Sequence, residues 1–256
     1  MAFQYNNILN IPERCLLDRK LTKAFFLKNF PLSASEKKIL NNSIIQMNWL
    51  ASIKPTTANI PAVISKDYKY EEIQVIICTI ADDTLDVLAE KSMQLIQKYI
   101  PYQMLVIVED ANGFRINASD KRINKAETSK RTIERHFITD KLSKLYKNNL
   151  SDKFFRALDY SNLDKTNLKL LYKSYIQALV QFQAANITGS YQKRTNARTQ
   201  KDMKHLERLE QIEREIVSLS SQIKKVTQLN EKVQLNIEIQ KKRKEILELK
   251  KLLNEH

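Results

Sequence analysis

The chain has 256 residues, 43% of them hydrophobic, and a formal net charge of +14. That length holds one ordinary globular domain plus an extension, and the apolar content suffices for a packed core, which excludes a disordered chain. Two glycines in the whole sequence, with no GxxxxGK(S/T) and no GxGxxG, exclude glycine-rich phosphate loops and the nucleotide chemistry they serve. Cys15 and Cys78 lie far apart, and His136, His205 and His256 are the only histidines, so no zinc-ligand spacing exists. No metal and no cofactor are expected. The start, MAFQYNNILNIPER, has no basic-then-apolar leader pattern, and no run of eighteen apolar residues occurs. A cytoplasmic, reduced protein that does not engage a membrane is expected.

Taken in order, residues 1–61 read as a small module of helices and one strand. Asp18 is placed to cap a helix over Arg19–Asn29 that Pro31 ends. Ser33 and Ser35 precede a second helix, Glu36–Asn42, and Ser43–Ile53 has the alternation of a strand. This order suggests a winged-helix arrangement, without an identifiable recognition helix. Pro55 and Pro61 bracket an extended or turn-like stretch.

Residues 62–145 form the clearest α/β unit. EIQVIICTI, Glu72–Ile80, is rich in β-branched residues and reads as a central strand. Asp82 or Asp83 is placed to cap a helix over Thr84–Tyr99, with Leu85, Leu88, Met93, Leu95 and Ile96 on its apolar face. Gln103–Glu109 is the next strand, Asp110–Gly113 a hairpin turn with glycine for positive φ, and Phe114–Ser119 the returning strand. The fold class expected is α+β or α/β, a mixed sheet with flanking helices.

The stretch Lys121–Arg135 then reads as a basic loop projecting from the sheet. Its Lys121, Arg122, Lys125, Lys130 and Arg131 are the first candidates for phosphate contact, because Lys and Arg supply backbone contacts regardless of base sequence. A solvated loop has the same composition, and AT-rich coding also enriches lysine, so both readings stand. Residues 146–188 extend the core with two helices, the first around Phe154, Phe155 and Leu158. The second carries a helical-period stripe from Leu168 to Phe182. Residues 189–202 read as a basic linker whose Lys193, Arg194 and Arg198 are the second group of candidate contacts, with Tyr191 available to stack on a base.

Residues 203–254 are expected to form a long C-terminal coiled-coil helix, roughly 75 Å at 1.5 Å per residue. Its seam, Leu209, Ile212, Ile216, Leu219, Ile223, Val226, Asn230, Val233 and Ile237, keeps heptad spacing. Asn230 in that seam would set register in a parallel homodimer or with a coiled-coil partner protein. Alternatively, Thr227–Lys232 is the bend of an antiparallel hairpin. After Ile237 the stripe shifts phase to Ile239, Ile246, Leu249 and Leu253.

The segments Lys23–Phe26, Ile44–Ile60, Glu71–Ile80, Ile100–Glu109 and Asn167–Leu179 resemble a bacterial family known as domain of unknown function 4391. The resemblance covers most of residues 8–187. It implies an accessory role beside methyltransferases or helicases in defence and restriction–modification systems, and carries no catalytic residues over. The expected function is therefore a non-catalytic subunit of a DNA-directed complex that binds nucleic acid or a partner enzyme and assembles through its coil. The alternative is a divergent metal-dependent nuclease using Asp67, Glu72 and Gln74, since carboxylates on a strand can hold Mg²⁺ at a phosphate. A purely structural adaptor is the third reading.

Overall fold

The computed structural model describes residues Gln4–Glu255. They divide into two units, the first ending at Leu179 and the second beginning at Val180. The first unit runs α1 (Asn6–Leu9), β1 (Leu16–Lys20), α2 (Lys23–Asn29), α3 (Ala34–Lys38), β2 (Ile44–Ile53), α4 (Pro55–Ala58), β3 (Val63–Ile64) and β4 (Lys69–Tyr70). It continues through β5 (Ile73–Ile80), α5 (Leu85–Tyr99), β6 (Gln103–Glu109), β7 (Gly113–Ile123), β8 (Arg131–Ile138), β9 (Leu142–Ser143) and α6 (Asn149–Leu158). Helix α7 (Leu168–Thr188) crosses the division, and α8 (Asn196–Ile223) and α9 (Leu229–Asn254) complete the second unit.

The fold is a mixed sheet with flanking helices. Its main sheet has the order β1-β2-β5-β6-β7-β8, with β9 added to β7. Only β5 and β6 are parallel among the paired strands described, and α5 is the crossover between them. Both central strands are apolar on both faces because both faces are covered. On one face, Ile76, Cys78, Val106 and Val108 pack with Ala89, Met93 and Ile96 of α5 and with Phe26 of α2. The Cys78 thiol is pushed well up by this burial. On the other face, α7 sends the Tyr172 hydroxyl to the sheet backbone. It accepts from Ser119 N at 2.9 Å and lies 2.9 Å from Ser119 O and 3.1 Å from Met104 O. Phe155 of α6 stacks near Phe114.

Several local expectations are corrected. Residues 1–61 are no separate winged-helix module, since β1 and β2 are strands of the main sheet. Asp18 caps no helix. It sits at φ 42° in β1, where the register with β2 shifts, and its carboxylate accepts from Asn48. Thr22 caps α2 instead, accepting from Phe25 N, and Ser33 with Glu36 forms a capping box on α3. Asp82 and Asp83 do not cap α5. They accept from Ala111 N and from the Asn112 amide, tying the end of β5 to the β6–β7 turn. Gly113 is not needed for positive φ: a Cβ there would lie 2.8 Å from the carbonyl oxygen of Leu142, so close backbone approach selects glycine.

In the second unit, the uninterrupted coil is replaced by an antiparallel helical hairpin that bends at residues 224–228. Arg208 reaches Glu245 at 2.7 Å, and Lys242 pairs with Glu215. Leu209, Ile212 and Leu219 of the expected seam are buried, and on α9 they are answered by the phase-shifted residues Ile239, Leu249 and Leu253. Ile216, Ile223 and Val226 are half-buried, while Asn230 is exposed and Val233 and Ile237 are each 50% exposed. The phase slip after Ile237 therefore separates an outward stripe from the stripe that closes the hairpin.

Candidate nucleic-acid interface

The basic stretch after Ser119 is a β-hairpin rather than a loop. Strand β7 runs on to Ile123, the chain turns over residues 124–130, and β8 returns from Arg131. Asn124 shapes the turn, its side-chain oxygen accepting from Ala126 N at 2.9 Å and Glu127 N at 3.2 Å. Arg131 closes it by donating to the carbonyls of Thr128 and Lys130, each at 3.0 Å. Lys125 and Lys130 are exposed at the tip, with Lys130 also 2.7 Å from Glu127. Arg122 is half-buried and pairs with Glu134 across the hairpin at 3.1 Å.

Lys121 is the clear correction among the first group. It is 0% exposed, and its Nζ donates to Ile100 O at 2.8 Å and Tyr102 O at 2.9 Å. Burial, and then the charge of Arg131, pull its pKa well below the ordinary lysine range. It touches no solvent and cannot contact a phosphate. Instead it caps the carbonyls that follow α5 and so fixes the end of that helix against β7.

This clamp brings α5 beside the hairpin, and the two border a pocket of about 500 Å³. Phe30, Pro31, Tyr99 and Pro101 give its apolar lining, and Lys98, Lys130, Arg131 and Glu127 its charged lining. Phe30 and Tyr99 stack with centroids 5.1 Å apart and planes 28° apart. Glu36 positions the rim, accepting from Lys98 Nζ at 2.7 Å and from the Tyr99 hydroxyl at 2.9 Å. Burial alone would raise the Glu36 pKa, but the hydrogen bonds from Lys98, Ser33 and Tyr99 outweigh it and hold the carboxyl at about 2. Lys98 Nζ also lies 4.9 Å from the Tyr99 ring centroid. Phe30, Tyr99 and Lys98 have no local sequence signal, because α2 and α5 meet the hairpin only in three dimensions.

The second group is largely taken up inside the hairpin of the second unit. The expected linker ends early, because α8 starts at Asn196 with Thr195 as its cap. Arg194 Nη2 donates to Leu253 O at 2.5 Å, and Arg198 donates to Leu252 O, so both cap the C-terminus of α9. Both also face Asp202, which is 0% exposed, with Arg198 Nε 3.1 Å from its Oδ1. Only Lys193 of that group is exposed. Tyr191 is half-buried, its hydroxyl 3.3 Å from Gln181, with burial pushing its pKa up.

The nuclease candidates form no metal centre. Among the described residues no group of three or more His, Cys, Asp or Glu side chains comes together to hold a metal ion. Glu72 lies just before β5 and Gln74 within it, and they satisfy each other: the Glu72 carboxylate accepts from Gln74 at 3.2 Å and from the Ser52 hydroxyl at 2.5 Å. Asp67 sits exposed in the turn between β3 and β4. A second groove, of about 600 Å³, lies over the other sheet face near Glu109. Its carboxylate is saturated by Tyr5 at 2.5 Å, Thr79 at 3.0 Å and Lys144 at 2.6 Å, an arrangement that anchors the N-terminal segment. No helix among the described residues is long and apolar enough to cross a membrane.

Fold and pocket thus define a mixed α/β protein that presents a basic hairpin beside an aromatic pair and carries a helical hairpin at its end. The family model described as Domain of unknown function (DUF4391) matches residues 9–246, and the chain belongs to that family. No curated protein and no solved structure matches the chain.

Proposed function

We propose that this chain is a non-catalytic nucleic-acid-binding subunit of a bacterial DNA-directed defence or restriction–modification-type assembly, working in the cytoplasm. The observation that carries the reading is the tip of the β7–β8 hairpin. There Lys125 and Lys130 are exposed, and Lys130 and Arg131 border an open pocket that Phe30 and Tyr99 also line. The defence context rests on the family resemblance. The outward stripe of α9 supports a partner role: Val233 and Ile237 are half-exposed and flanked by Lys241 and Lys244, which suits an acidic amphipathic helix of a methyltransferase or helicase. Fluorescence anisotropy with labelled DNA and RNA tests the reading. Lys125→Glu/Lys130→Glu should weaken binding at least tenfold at low salt, and unaltered affinity would refute it.

A further inference from the structure

The pocket combines aromatic and charged residues in one lining, and the combination bears on which form of nucleic acid it receives. Phe30 and Tyr99 form an offset stack whose ring planes differ by 28°. Phe25, 41% exposed, meets Phe30 edge-on at 5.6 Å, so the aromatic cluster extends towards solvent. Lys98, Lys130 and Arg131 supply positive charge to the same lining, against the one carboxylate of Glu127. Aromatic residues and an excess of cations in one lining match a planar ring that carries an anion. A nucleotide has that constitution.

We propose that the Phe30–Tyr99 pair in the pocket lining receives an unpaired base while Lys130 and Arg131 hold the adjoining phosphate, so that the protein binds single-stranded rather than duplex nucleic acid. The inference rests on the hairpin being the phosphate contact. In a duplex, the base faces are covered by their neighbours, and an aromatic surface gains nothing from them. In a single strand every base offers a π-face, and stacking on an aromatic side chain is sequence-tolerant. The pocket volume of about 500 Å³ is on the scale of small-molecule sites. Lys98, held by Glu36, lies over the Tyr99 ring with its Nζ 4.9 Å from the centroid and adds a further cation to the lining.

The test uses the full chain with a labelled oligodeoxynucleotide, its ribonucleotide equivalent and the matching DNA duplex at one salt concentration. Single strands should bind at least about tenfold tighter than duplex. Tyr99→Ala should weaken single-strand binding about tenfold or more and leave duplex binding little changed, whereas Tyr99→Phe keeps the ring and the affinity. Photocrosslinking a 5-iodouracil-substituted strand to the wild-type protein gives a readout that needs no variant to fold. The adduct should map to a peptide containing Phe30 or Tyr99. Crosslinks confined to other peptides, or duplex binding as tight as single-strand binding, would overturn the inference. So would competition by a free mononucleotide as effective as the strand at equal nucleotide concentration. If Lys125→Glu/Lys130→Glu weakens both forms while Tyr99→Ala leaves their ratio unchanged, base stacking fails and the phosphate reading stands. If the double variant binds both forms like wild type, both readings fall.

Discussion

Charge removal at the hairpin tip can be read as a number of ions rather than as a loss of affinity. Lys125 and Lys130 are exposed side chains on a turn whose shape depends on Asn124 and on the Arg131 guanidinium, neither of which the substitutions remove. Each phosphate neutralised by a cation releases condensed counterions, so log K falls with log salt by about 0.9 per contact on duplex DNA and about 0.7 on single strands. Lys125→Ala/Lys130→Ala should therefore reduce the slope by about 1.4 on a single strand, or by about 1.8 on duplex. The Lys130 contact is offset in the free protein by Glu127 at 2.7 Å, which sets the lower end of the expected change at roughly one contact, about 0.7. Anisotropy titrations at four or more salt concentrations measure it. A slope identical to wild type would refute the assignment even if affinity fell, because lost affinity with an unchanged slope means the variant lost something other than a phosphate contact.

Three structural predictions accompany it. Arg194→Ala removes a cap from the α9 C-terminus and takes one of the two arginine ion pairs from buried Asp202, so thermal or urea unfolding should show a loss of about 3 kcal/mol; unchanged stability would contradict the buried pairing. His136 is half-buried in β8, and burial, then the Lys121 charge, hold its pKa below the ordinary value, with Glu90 pulling the other way. With the folded pKa depressed, the unfolded chain binds the extra proton first, so stability should fall as pH drops below about 6.5, the ordinary histidine value. His136→Asn should flatten that part of the curve, and a wild-type slope retained in the variant would assign the effect elsewhere. Gly113→Ala should cost about 1–3 kcal/mol by forcing a Cβ against the Leu142 carbonyl, measurable as a lowered melting temperature; a neutral result would mean that β9 can move away without loss.

How much of this was legible in the sequence depended on whether a signal was local. The strands Ile44–Ile53, Ile73–Ile80 and Gln103–Glu109 and the helix between the last two announce themselves by β-branched runs and a 3.6-residue period, and the structure has them with ends shifted by a residue or two. Asp18 misled because a carboxylate before a helical pattern is a common cap, and only the pairing of β1 with β2 draws it into the sheet. Lys121 misled for a related reason: in a run of cations, nothing but strand register says which one faces inwards to meet the carbonyls of Ile100 and Tyr102.

The C-terminal stripe shows the same limit. A heptad seam specifies that a helix must bury one face, and an intramolecular partner satisfies that as well as a second chain does. The sequence by itself determined the sheet, its crossover helix, the helical character of the end and the excess of positive charge, because each follows from spacing or composition within one segment. Tertiary structure alone decided that the seam closes on its own chain, that Arg194 and Arg198 cap α9, and that Phe30 and Tyr99 stand beside the hairpin cations. Those contacts join residues distant along the chain, and which of them form depends on how the elements pack, which no local pattern encodes.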